Sequence, residues 1–148
     1  MPTSTIHLHR VVRAPPERVY RAFIDGDALC RWLPPHGFVA HLLSMDAAVG
    51  GGYRMRFTDF AGGGSNAFTA VFRELQPYRR IVHADRFDDP ALAGEILVTI
   101  DFTEVSIGTD LAITQAGIPE IIPPEMCHRG WQDSLSQLAL LVETQNQS

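Results

Sequence analysis

The spacing of apolar side chains switches between a period of two and a period near 3.6 along the chain. In residues 5–13, TIHLHRVVR, Ile6, Leu8 and Val12 share a face, which predicts a strand. Ala14-Pro15-Pro16-Glu17 ends it, and proline followed by an acidic residue suits a first helical turn. Val19, Tyr20, Ala22 and Phe23 then form a stripe at helical spacing, so residues 15–25 are expected to be helix. Asp25-Gly26-Asp27 breaks it. Asp27 is placed to cap a short second helix over 27–33, which Pro34-Pro35 must end.

The period then returns to two. Residues 38–46, FVAHLLSMD, read as a strand, and Gly50-Gly51-Gly52 as a turn. Tyr53, Met55 and Phe57 alternate with Arg54, Arg56 and Thr58, the pattern of a half-buried strand. Phe68, Ala70 and Phe72 mark a fourth strand closed by Pro77, and residues 79–87 a fifth. After the loop DDPALAG, strands follow at 95–105 and 109–116. From Glu125 onward, Cys127, Trp131, Leu135, Leu138 and Val142 recur every three or four residues, with Arg129, Gln132, Asp133, Gln137 and Glu143 opposite. That predicts an amphipathic helix of about 20 residues, ~30 Å long.

Turn-sized links between the second and seventh strands imply antiparallel hairpins, and the apolar face of so large a sheet must be covered. The expected architecture is α+β: a curved antiparallel seven-stranded sheet wrapped around a long C-terminal helix, with two short helices after strand one. One domain is expected over 1–148, with its core at about 5–143. The 45% apolar and 20% charged residues suit a packed domain of this length. The formal charge of −5 argues against a nucleic-acid partner. The start of the chain lacks a signal-peptide pattern, and LALLV is far shorter than a membrane span, so no membrane insertion and a cytoplasmic location are expected. Cys30 and Cys127 are expected to be reduced.

RWLPPHGF (31–38), GGYRMRFTDF, DRFDDP, GIPEIIPPE and CHRGWQDSL, in this element order, resemble the START-like (SRPBCC) superfamily. Within it they are most similar to homologues of the C-terminal domain of the heat-shock-protein-90 ATPase activator, in a bacterial branch. The resemblance implies a helix-grip fold, often with an apolar cavity between sheet and helix. Its relatives range from lipid and sterol carriers to polyketide cyclases and protein-binding modules, so the fold alone selects no chemistry.

The expected ligand is a small apolar or amphipathic molecule. Its pocket would be lined by Trp32, Phe38, Met55, Phe57, Phe68, His83, Phe87, Ile100, Trp131 and Leu135, with His36, Glu120 and Glu125 at the rim. Trp32, at the stiff proline corner, has two readings that the sequence leaves open: cavity lining, or a plug that caps the core. His83 and Asp85 enter the cavity if Ile81 and Phe87 face inward, where they offer an acid–base pair. In the opposite register Val82 and Ala84 face inward instead. A cyclase-like or hydrolase-like enzyme using His83 and Asp85 is therefore one alternative. A chaperone-associated interaction module is another, and a homodimer through a sheet edge or helix face is left open. Asp85, Asp88, Asp89 and Glu95 crowd one hairpin without metal-loop spacing, and His7 and His9 are expected to face outward. Neither a metal nor a cofactor is expected. No nucleophile elbow, P-loop or dinucleotide fingerprint occurs.

Overall fold

The computed structural model describes residues 2–144. Strand β1 (Thr3–Val12) leads into helices α1 (Pro16–Ile24) and α2 (Gly26–Trp32). Strands β2 (Phe38–Asp46), β3 (Gly52–Asp59), β4 (Ser65–Gln76), β5 (Arg80–Phe87), β6 (Ile96–Val105) and β7 (Gly108–Pro119) follow, and helix α3 (Pro124–Thr144) closes the chain. The strands form one antiparallel sheet in the order β1-β7-β6-β5-β4-β3-β2. The sheet is open, with β1 and β2 at its edges, and it curves around the helices. Register shifts at Ser4/Thr5, Leu42/Ser44 and Phe72/Glu74 supply local bends.

Two element boundaries differ from the sequence reading. Asp25, not Asp27, caps α2: its carboxylate accepts from the backbone N–H of Asp27 at 3.0 Å and of Ala28 at 3.5 Å. β7 runs on to Pro119 because Gly117 takes φ +85 and lets the strand bend rather than stop. Within the DDPALAG loop, Pro90–Leu92 forms one 3-10 turn, capped by Asp89 at 2.9 Å from the Ala91 N–H.

The concave face collects Ile6, Leu8, Tyr53, Met55, Phe72, Ile81, Val98, Ile100, Leu111 and Ile113, all buried. Leu135, Leu138, Ala139 and Val142 of α3 join them in one core. The backbone of α3 closely approaches β1, α2 and α1, and it stays farther from β3, β4 and β5. Side chains alone must therefore cover that half of the concave face.

The RWLPPHGF corner is held from two sides. Trp32 is wholly buried, its indole N–H donates to the Ala22 carbonyl at 2.8 Å, and its ring packs edge-on to Phe23 with centroids 4.7 Å apart. A ring with no accessible surface lines no void, so Trp32 is the plug. From α3, Ser134 Oγ donates to the Leu33 carbonyl at 2.6 Å, and Gln137 Nε2 donates to the carbonyls of Trp32 at 3.0 Å and Pro34 at 2.7 Å. Gln137, which the helical pattern assigned to the polar outer side, is turned toward this corner.

Trp32→Ala removes a filled core volume and a satisfied donor. It is expected to lower unfolding stability by about 3–5 kcal/mol in urea titrations. Phe60→Ala, at a side chain 80% exposed, is expected to stay within about 0.5 kcal/mol of the parent. Similar losses for the two variants would contradict the plug assignment.

Candidate functional site

Strand pairing places three rows of side chains across the concave face. The first runs Gln115–Val98–His83–Phe72 from β7 to β4. The second runs Ile96–Asp85–Ala70–Tyr53 from β6 to β3. The third runs Phe87–Phe68–Met55–Leu42 from β5 to β2. Ile81, His83, Asp85 and Phe87 thus face inward together. Val82 and Ala84 take the convex side, because successive side chains alternate.

His83 Nδ1 lies 2.5 Å from Asp85 Oδ1, with side-chain exposures of 7% and 16%. The imidazole sits edge-on to Tyr53 and Phe72, with centroids 6.1 and 6.2 Å away. Burial first, and the Asp85 charge second, push the Tyr53 phenol well above its ordinary value. A small polar cluster is therefore embedded in an apolar wall, and Tyr53 supplies a hydroxyl that stays protonated. The sequence reading counted Tyr53 only as an apolar core position. Its place opposite Ala70, which in turn faces Asp85, follows from strand register that alternation alone leaves open.

Beyond this cluster the wall is aromatic and half-buried. Phe57 and Phe68 meet edge-on with centroids 5.3 Å apart, and Phe68 and Phe87 at 6.5 Å. Trp131 of α3 is likewise half-buried, and its indole N–H donates to Gln115 Oε1 at 3.2 Å. Gln115 lies two strands from His83 in the same row, about 10 Å away at ordinary strand spacing. The tryptophan is thereby anchored over the side of the sheet that holds the His83 row. Gly130, beside it, could carry a Cβ without meeting any atom within 4 Å, so local packing leaves room there.

The remaining expected site residues separate from this cluster. Met55 and Ile100 have no accessible surface and Leu135 keeps 3%, so all three are packed core rather than lining. Phe38 lies on the concave side at the open end of edge strand β2 and is 38% exposed. His36 is exposed and reaches Asp133 of α3 at 3.5 Å, while Glu120 is exposed beyond β7. Glu125 faces a different concavity, an open groove between β1 and α3 shared with Ile6, His128 and Arg129. A neighbouring groove there is lined by His7, His9, Arg10, His128, Gln132 and Ser136. The first of these is walled mainly by apolar surface and the second mainly by polar surface, and neither is lined by a phenylalanine, tyrosine or tryptophan.

Other polar groups have structural partners. His7 Nδ1 and Thr114 Oγ1 are 3.2 Å apart, and His9 pairs with Asp110 at 2.5 Å, both on the convex side. In the acidic hairpin, Asp88 pairs with Arg54, and Glu95 with Arg73 at 2.7 Å and Arg86 at 3.6 Å. Among the described residues no group of three or more histidine, cysteine or acidic side chains could hold a metal. Cys30 and Cys127 are free thiols, and burial pushes the pKa of both up, which disfavours the thiolate. Among the described residues no helix is long and apolar enough to cross a membrane.

A curved antiparallel seven-stranded sheet around a C-terminal helix defines a protein of the helix-grip class. Residues 13–143 match the model of the family described as Activator of Hsp90 ATPase homolog 1-like protein, and the chain belongs to that family. Among solved structures, protein CV1439 from Chromobacterium violaceum is 57% identical, with 94% of this chain and 96% of that chain covered and a TM-score of 0.92. A Rhizobium leguminosarum protein is 23% identical over 97% of this chain and 96% of its own, with a TM-score of 0.81. A Rhodobacter sphaeroides protein is 20% identical over 95% and 92%, also with a TM-score of 0.81. The last two show likeness of fold alone. Among curated proteins nothing matches the chain.

The raised Tyr53 value has a consequence for alkaline stability. The unfolded chain ionises its tyrosines near pH 10, while folded Tyr53 keeps its proton to higher pH. Its contribution is complete below about pH 10 and is lost progressively as pH climbs toward the folded-state value. Between about pH 10 and 11.5, urea-unfolding free energy is expected to fall more steeply for the wild type than for Tyr53→Phe. Tyr20, also raised by burial, acts in both proteins and cancels. Equal slopes would contradict the buried position of the Tyr53 hydroxyl.

Proposed function

We propose that the protein binds a small, mostly apolar molecule between the concave sheet face and α3. The observation that carries this reading is the half-buried aromatic set Phe57, Phe68, Phe87 and Trp131 beside a buried His83–Asp85 pair. A wall serving only as core would be expected to bury such rings fully, as it does Phe72 and Trp32. Rings left half-accessible on a concave surface still have apolar area to cover, and each large side chain covered is worth about 1.5–3 kcal/mol. The polar pair gives the cleft a point of orientation, which small-molecule sites combine with apolar walls. Ligand binding is preferred to the chaperone partner suggested by the family description, because a protein-docking surface has no need of a buried polar pair behind an aromatic wall.

N-phenyl-1-naphthylamine, a neutral dye that brightens in apolar surroundings, tests the proposal. Its emission is expected to rise on adding the protein. Phe68→Ala and Trp131→Ala are expected to weaken its binding by about tenfold each, the scale of one lost aromatic contact. Phe60→Ala, outside the cleft, should leave binding unchanged. Absence of any emission change, or equal losses at all three positions, would overturn the proposal.

A further inference from the structure

We propose that the polar end of the cleft recognises a hydroxyl group, so that the occupant is an apolar alcohol or phenol, an assignment that rests on ligand binding in the cleft as read above. Hydrogen-bond direction is the starting point. A carboxylate accepts and cannot donate, so the 2.5 Å contact with Asp85 requires the proton on His83 Nδ1. In the neutral imidazole the lone pair is then on Nε2.

Three polar atoms of the cluster remain open: His83 Nε2, the Tyr53 hydroxyl and the second carboxylate oxygen of Asp85. Among the described residues neither His83 Nε2 nor the Tyr53 hydroxyl has a hydrogen-bond partner. Neither is among the fully enclosed side-chain atoms that lack a hydrogen bond, such as Arg10 Nε. Both therefore touch accessible space. They belong to side chains on one sheet face whose rings lie 6.1 Å apart. One is an acceptor. The other is a phenol that can donate. A hydroxyl oxygen satisfies both at once, donating its proton to Nε2 and accepting from Tyr53.

Other headgroups fit less well. A carboxylate would meet the His83 lone pair and the negative charge of Asp85. The neighbouring Arg54, Arg56 and Arg86 alternate to the convex face, and Arg54 is already paired with Asp88. An ammonium would be attracted by the Asp85 carboxylate, but it would lose most of its hydration among the aromatic rings. A ligand with no polar head would leave Nε2 and the Tyr53 hydroxyl dehydrated and unpaired.

The test uses the full chain and matched probes on one ring system: 2-naphthol, 2-methylnaphthalene, 2-naphthoate and 2-(aminomethyl)naphthalene, with affinities measured by titration calorimetry or ligand-observed NMR. 2-Naphthol is expected to bind at least about tenfold more tightly than the methyl compound, because a site built around a hydroxyl disfavours the analogue that lacks it. The methyl compound is the more apolar, so a cleft without polar recognition would rank it first. Tyr53→Phe, which removes only the unpartnered hydroxyl, is expected to narrow the gap several-fold. The wild-type ranking decides the matter even if that variant folds poorly. Equal or reversed ranking of naphthol and methylnaphthalene, or tightest binding of the carboxylate or amine, would overturn the hydroxyl assignment while leaving ligand binding in place. Failure of all four probes to bind would instead remove the cleft reading beneath it.

Discussion

The arrangement depends on how the backbone carbonyls at the end of α2 are satisfied. A helix ends with carbonyls that have no partner within it, and here the next residues, Pro34 and Pro35, have no N–H to offer. Ser134 and Gln137 supply the missing donors, reaching the carbonyls of Trp32, Leu33 and Pro34 from a helix about a hundred residues later in the chain. These bonds pin α3 to the corner at the β2 end of α2, while the α3 backbone also runs close to edge strand β1. The far half of the concave face is left under side chains alone. Phe57, Phe68 and Phe87 lie where the α3 backbone does not closely approach, and they stay half-buried.

The same fastening explains why a tryptophan occupies a proline corner. Trp32 is tied to Ala22 by its N–H and fills the angle between α1 and α2 against Phe23. Trp131 is the other tryptophan, and it behaves differently. It is half-buried and held by Gln115 on β7, so its ring is positioned while part of its surface stays free. One indole completes the interior and the other stays partly accessible beside β7.

Much of the fold could be read from periodicity. Each strand and helix appears close to its expected place, because alternation in Tyr53, Met55 and Phe57 and the three-to-four spacing in Leu135, Leu138 and Val142 report directly which face is buried. The polar details were less accessible. Gln137 looks like an outer-face residue until α3 is docked on the corner, and that docking joins residues 105 positions apart. Asp27 looks like the cap of α2, and the backbone geometry gives that role to Asp25 instead. His83 and Asp85 were legible as neighbours on a strand, while their inward register depended on pairing with β4 and β6. Tyr53 carried no polar signal at all, since its hydroxyl matters only through what lies two strands away. Met55 and Ile100 were correctly inward, but alternation cannot tell a packed position from a lining one.

The two tryptophans also offer the most direct test of the central claim, that the concave cleft and not the β1–α3 groove receives a ligand. Each indole N–H gives its own signal in a 15N–1H correlation spectrum. On titrating the protein with 2-naphthol, the account predicts that the Trp131 indole signal and the amides around Phe57, Phe68 and Phe87 shift, while the buried Trp32 signal stays in place. Shifts confined to His7, His128 and Gln132, or a Trp131 signal that does not move at saturating probe, would contradict it.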